Sequence, residues 1–120
     1  MDYPIRVITV AETSEFARRS RKLLSEDERS ELIFFLSASP KAGAVIDGTG
    51  GIRKLRWARE GKGKSGGVRI IYFFRNEAMP LYLLTLYGKN EKDDLADSER
   101  KDLAKLAHML VQAAIKDKKR

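Results

Sequence analysis

Hydrophobic and polar positions follow two rhythms along this chain, and the switches between them mark its elements. Ile5-Arg6-Val7-Ile8-Thr9-Val10 is β-branched and predicts a first strand. A helix is expected next, from Phe16 and Ala17 to Leu23 and Leu24, capped by Thr13 or Ser14. Ser25-Glu26-Asp27-Glu28 has capping-box spacing, with acids at the positive end of a second helix. That helix carries Leu32, Ile33, Phe35 and Leu36 and should stop near Ser39-Pro40. The two helices are expected to form a hairpin.

Residues 41–51 contain four glycines and read as a loop. Three strands should follow. Ile52–Ala58 alternates imperfectly, whereas Val68–Arg75 and Leu81–Tyr87 are rich in β-branched and aromatic residues. Leu103, Leu106, Ala107, Leu110, Val111 and Ala114 then recur at helical spacing, from a start near Asp97 or Ser98. The basic tail, Lys116, Lys118, Lys119 and Arg120, suits the negative end of that helix. The order β-α-α-β-β-β-α predicts an α+β fold in one domain spanning residues 1–120. Short connections make the last three strands an antiparallel meander, and the helices are expected to cover one face of an antiparallel sheet.

Strand alternation places Lys54 and Arg56 on one face, and Arg53, Leu55 and Trp57 on the other. If the turn at Asn76–Pro80 centres on residue 78, Arg69 lies opposite Tyr87. If the glycine-rich hairpin centres between residues 62 and 63, Arg56 lies opposite Arg69. Lys54, Arg56, Arg69 and Tyr87 then form one patch beside Lys89. A slip of one residue would reverse the faces.

Charge sharpens this picture. The chain is +7 overall, and residues 52–75 hold eight basic residues against one acid, Glu60. Elsewhere the charges cancel. A cationic segment in a balanced chain suggests a polyanion-binding surface, with a solubilising face or an acidic protein partner as alternatives. Gly61-Lys62-Gly63-Lys64-Ser65-Gly66-Gly67 suits contact with a phosphate backbone, or serves simply as a permissive turn. It joins two strands and lacks the P-loop order, which argues against an NTPase.

The chemistry available is narrow. There is no cysteine, hence no thiolate nucleophile, thiolate metal site or disulfide, which fits a reducing cytoplasm. No apolar run approaches the ~18 residues of a membrane span, and the N-terminus lacks a signal-peptide pattern. His108, the one histidine, sits among apolar helix positions and reads as structural. Asp93, Asp94, Asp97, Glu99 and Asp102 read as capping and solvating groups, not metal ligands. No metal and no cofactor are expected. RNA cleavage remains open to such a set, because the ribose 2′-OH supplies the nucleophile. Arginines can stabilise the extra charge on the phosphorane, clustered cations can free a neutral amine, and an aromatic can stack on a base. Another body would have to hold the RNA in reactive geometry.

Three motifs in order, Gly48-Thr49-Gly50-Gly51-Ile52-Arg53-Lys54-Leu55-Arg56, Gly61–Tyr72 and Leu84-Thr85-Leu86-Tyr87-Gly88-Lys89-Asn90-Glu91, closely resemble the HigB-type branch of the RelE toxin superfamily. The likeness covers roughly residues 5–112. It implies a toxin of a type II toxin–antitoxin system that enters the ribosomal A site and cuts translated mRNA. It also implies a cognate antitoxin, often of helix-turn-helix type, through which the pair reaches operator DNA. By the same resemblance Lys54 and Arg56 match basic second-strand positions used on RNA, and Arg69 matches an arginine linked to transition-state stabilisation. Tyr87 and Lys89 fall in the last-strand motif. RelE itself has an arginine after the glycine-lysine pair where this chain has Asn90, and its later tyrosine is replaced near Leu95-Ala96.

The resulting expectation is an endoribonuclease with catalytic candidates Lys54, Arg56, Arg69, Tyr87 and Lys89. Arg69 and Arg56 would meet phosphate charge, Lys54 or Lys89 would move a proton, and Tyr87 would stack on a base. Arg53, Arg59, Lys62 and Lys64 would bind RNA or ribosome. Two other classes remain open: a ribosomal RNA-binding translation blocker without catalysis, and a degenerate toxin kept as an operon co-regulator.

Overall fold

The computed structural model describes residues 7–59, 63–92 and 94–118. Strand β1 (Val10–Glu12) leads into helices α1 (Ser14–Leu23) and α2 (Glu26–Ala38). Strands β2 (Ala44–Val45), β3 (Ile52–Arg59), β4 (Gly63–Phe73) and β5 (Leu81–Gly88) follow, and helix α3 (Asp97–Lys118) closes the fold. This is the expected α+β architecture with one addition. Residues 44–45, expected as loop, pair with Lys54 and Arg53 as a two-residue edge strand.

The helix starts follow the local chemistry. Thr13 caps α1, its hydroxyl accepting from the Phe16 amide at 3.1 Å. The same hydroxyl donates to the Leu84 carbonyl at 2.9 Å, tying the helix start to β5. Ser25 and Glu28 complete a reciprocal capping box on α2. At α3, a Glu99 carboxylate oxygen accepts from the Ala96 amide at 2.9 Å. In each case a side-chain oxygen satisfies an amide that the first turn leaves without an intrahelical partner.

The sheet runs β1-β5-β4-β3-β2. The meander β3-β4-β5 is antiparallel as expected, but β1 pairs parallel to β5, so the sheet is mixed, not purely antiparallel. The first strand also lies later than expected. Ile5 and Arg6 fall outside the described residues, and pairing begins at Val10. Before it, the Thr9 carbonyl accepts from the Leu81 amide and the Ile8 amide donates to the Ser37 carbonyl.

A second correction concerns the layers. The helices do not share one face. Phe16 of α1 with Leu32 and Leu36 of α2 packs on Val68, Ile70, Tyr72, Leu83 and Leu86. Ala107 and Val111 of α3 pack on the opposite face with Ile52, Ile71, Phe73 and Leu84. The reason lies in β4, where every residue from Val68 to Phe74 is buried. A strand covered on both sides needs cover from both sides, and its near-continuous apolar run is the signature of that. Each large side chain fully buried there contributes about 1.5–3 kcal/mol. His108 projects away from the α3 stripe and is exposed, so it does not pack as its apolar neighbours suggested.

Two details fix the sheet edge. The buried Tyr72 hydroxyl accepts from the Gly43 amide at 2.8 Å and donates to the Pro40 carbonyl at 2.9 Å. A Cβ at Gly43 would come within 2.8 Å of the Tyr72 ring, so only glycine allows this approach. Thr49 then bridges the turn into β3, its hydroxyl donating to the Ile46 carbonyl and accepting from the Ile52 amide.

Candidate RNA-cleavage site

The basic row expected from strand geometry exists in the sheet. Arg56 pairs with Arg69, and Arg69 pairs with Tyr87. Directly paired residues project from the same face, and Lys54 joins them two positions along β3. The row survives two irregularities. One lies between Trp57 and Arg59 of β3, the other between Ile71 and Tyr72 of β4. Each lies between the row and its hairpin turn. The row keeps pairings centred between residues 62 and 63 and on residue 78, whereas beside the turns Arg59 pairs with Gly63 and Phe73 with Tyr82.

The four side chains sit at different depths. Arg56 is exposed, and no partner for it is present among the described residues. Lys54 is partly covered, and its ammonium reaches Asp94 at 3.3 Å. Arg69 is only 7% exposed, and its Nη1 is buried with no hydrogen-bond partner among the described residues. Tyr87 is 1% exposed, and its hydroxyl is likewise buried and unpartnered there. Lys89, just beyond β5, is exposed, while its backbone amide donates to the Gly67 carbonyl at 3.3 Å.

Tyr87 corrects one expectation. A ring so deeply buried has no free face for an RNA base, and the Lys92 ammonium sits 4.9 Å above its centroid. Burial pushes the phenol up to about 12, helped by the charge of Asp94 and, more weakly, of Glu99. Arg69 and Arg100 act in the opposite sense. The phenol therefore stays neutral near pH 7 and offers a proton donor at the floor of the site, not a base or a stacking platform.

Around this floor stands a wall that sequence reading missed. Lys92 pairs with Glu99, and Arg100 of the first α3 turn reaches Asp94 at 3.3 Å. Glu99 acts as a capping group, as expected, accepting from the Ala96 amide, whereas Asp94 accepts from the Leu95 amide in the loop before α3. Those bonds and the neighbouring cations hold both carboxyls below their usual values. Arg19 of α1 closes the far side, donating to the Leu86 carbonyl and to Glu91, which in turn accepts from the Gly88 amide. No periodic signal could have found Arg100 or Lys92, because their roles depend on α3 crossing to this face.

The remaining basic candidates separate from the row. Arg53 points to the other side of β3, where its guanidinium donates to the Gly43 and Lys41 carbonyls at 2.7 and 3.2 Å. That binds it to the edge loop instead of the patch. Lys62 lies outside the described residues, as do the side chains of Arg59 and Lys64. Among the described residues there is no group of histidines and carboxylates able to hold a metal ion. No described helix is long and apolar enough to cross a membrane.

Chemically, a buried guanidinium without a carboxylate is an incomplete arrangement. Desolvating a cation is costly unless an anion or hydrogen bonds compensate, and here the compensating group is absent among the described residues. A phosphate oxygen supplies both the charge and the acceptor. A model described as the RelE toxin of the RelE/RelB toxin–antitoxin system matches residues 8–119, and the chain belongs to the RelE toxin family.

Proposed function

We propose that this chain is the toxin of a type II pair and a ribosome-dependent mRNA endoribonuclease of the HigB-type branch. It would cut translated message in the A site, in the cytoplasm, until a cognate antitoxin of helix-turn-helix type binds it. The observation that carries the reading is Arg69, a cation only 7% exposed whose Nη1 has no hydrogen-bond partner among the described residues, paired across the sheet with Arg56 and Tyr87.

The chemistry assigns the roles. The ribose 2′-OH attacks the adjacent phosphorus and expels the 5′-oxygen of the next nucleotide. Arg69, with Arg56 beside it, meets the charge that grows on the non-bridging oxygens. Lys54 or Lys89 moves the proton. The neutral Tyr87 hydroxyl donates to the phosphate from below. Arg59, Lys62 and Lys64 engage RNA backbone. Dependence on the ribosome fits a site with no conventional base, since in-line geometry must then come from outside.

Mapping message ends on translating ribosomes tests this. Cuts within codons that vanish when translation is blocked support the nuclease. Stalled but intact message would instead assign a translation blocker, and unaffected translation a degenerate toxin.

A further inference from the structure

Two cations from separate elements converge on one carboxylate beside the Arg69–Tyr87 floor. Lys54 of β3 approaches one oxygen of Asp94 at 3.3 Å, and Arg100 of α3 approaches the other at 3.3 Å. Both separations exceed the ~2.7–2.9 Å of a tight charge-assisted hydrogen bond. The Nε of Arg100 is buried and has no partner among the described residues. Asp94 itself is exposed at the end of a loop. The arrangement is a two-cation clamp, loosely filled by an acid that water can reach. Lys54 lies two positions from Arg56 on the sheet face that carries Arg69 and Tyr87, which sets the clamp beside that floor.

We propose that Lys54 and Arg100 form a second RNA phosphate subsite beside Arg69, and that the Asp94 carboxylate occupies it in the free protein as an internal stand-in for that phosphate. The nature of the anion rests on the ribonuclease reading above; the clamp itself rests on the geometry. A carboxylate and a phosphate each present two oxygens to a pair of cations. A phosphodiester carries the same single charge as the carboxylate, but it arrives flanked by further backbone phosphates, and Arg100 has donors left over to receive its oxygens. RNA entry therefore displaces Asp94 outward, and Arg100 exchanges one anion for another. Asp94 weakens RNA binding in return for keeping Lys54 and Arg100 positioned in the empty site.

The test uses the full chain and a labelled single-stranded oligonucleotide with 2′-deoxyribose throughout, which 2′-OH attack cannot cleave. Binding is read by fluorescence anisotropy across a salt series, with folding checked by circular dichroism. Asp94→Asn retains the bond from the Leu95 amide and should tighten binding about two- to fivefold. Arg100→Gln should weaken it and lower the slope of log affinity against log salt by about 0.7, one phosphate contact on a single strand. Asp102→Asn changes net charge equally on an exposed part of α3 and should have a smaller effect. Equal gains from Asp94→Asn and Asp102→Asn, or an unchanged salt slope for Arg100→Gln, would overturn the subsite. Loss of folding in Arg100→Gln transfers the decision to Arg100→Lys, which keeps the charge and should keep the slope. Codon-specific cuts together with unshifted oligonucleotide binding remove the subsite and leave the nuclease. Shifted binding with intact message removes the nuclease and leaves the subsite.

Discussion

Arg69 and Tyr87 lie directly across the β4–β5 ladder from one another, and each buries a polar atom that has no partner among the described residues. Two such atoms side by side in the most covered part of the sheet do not serve folding. Each gives up water without receiving a hydrogen bond in return. The cost makes sense if the pair is completed by an anionic ligand.

Substitution of Arg69 should therefore separate stability from activity. Arg69→Met keeps much of the volume and removes a buried charge that has no counter-ion among the described residues. Chemical denaturation should show stability unchanged or raised, by up to about 1–3 kcal/mol. Message cleavage should fall about 10²–10³-fold, the scale of losing one preorganised donor to a developing oxyanion. A variant that is strongly destabilised would mean that Arg69 holds the fold together.

Tyr87 makes a prediction in alkali. Its pKa in the fold is raised from the ordinary value of 10 to about 12, chiefly by burial. A raised value for a group that is neutral when protonated gives stability present below pH 10, lost as pH climbs through the folded value. The Tyr87→Phe variant should lack that share of the alkaline loss between pH 10 and about 12. The absorbance difference between wild type and variant near 295 nm should show one phenol ionising late. A Tyr87 signal titrating near 10 would show that the ring is not buried.

At the other sheet edge, Tyr72→Phe should cost about 1–3 kcal/mol, since it strands the buried Gly43 amide and frees the Pro40 carbonyl. Gly43→Ala should also destabilise, because its Cβ would meet the Tyr72 ring at 2.8 Å. Tyr72 packs on the opposite face of the sheet from Tyr87, so ribosome-bound cleavage should persist in Tyr72→Phe at temperatures where it remains folded. The Cβ of Gly43→Ala, by contrast, would also press on the Lys54 carbonyl at 3.0 Å. Thermal melts paired with cleavage assays check both parts.

These outcomes also show where sequence reasoning reaches. The Arg56–Arg69–Tyr87 row agrees with centres between residues 62 and 63 and on residue 78, although each irregularity lies between a turn and the row and shifts the pairing beside the turn. The caps at Thr13 and Ser25 were legible from residue type and spacing. Depth was not. Alternation assigns Tyr87 to a face but says nothing of how thickly α3 and Lys92 cover that face. The placement of α3 was not legible from Val68–Arg75 as a strand alone. It follows from the near-continuous apolar run, interrupted only by Arg69, that is buried from Val68 to Phe74 and needs cover on both sides. With α3 misplaced, Asp94 reads only as a capping or solvating charge, and nothing singles out Arg100.

The most direct test of the central claim is the chemistry of the cut ends on message recovered from translating ribosomes. Attack by the ribose 2′-OH at a phosphate held by Arg69 and its neighbours leaves a 2′,3′-cyclic phosphate upstream and a free 5′-hydroxyl downstream. Both should disappear with Arg69→Met and with a single 2′-deoxy nucleotide at the cut position. A 5′-phosphate on the downstream fragment, or undiminished cutting by Arg69→Met, would contradict it.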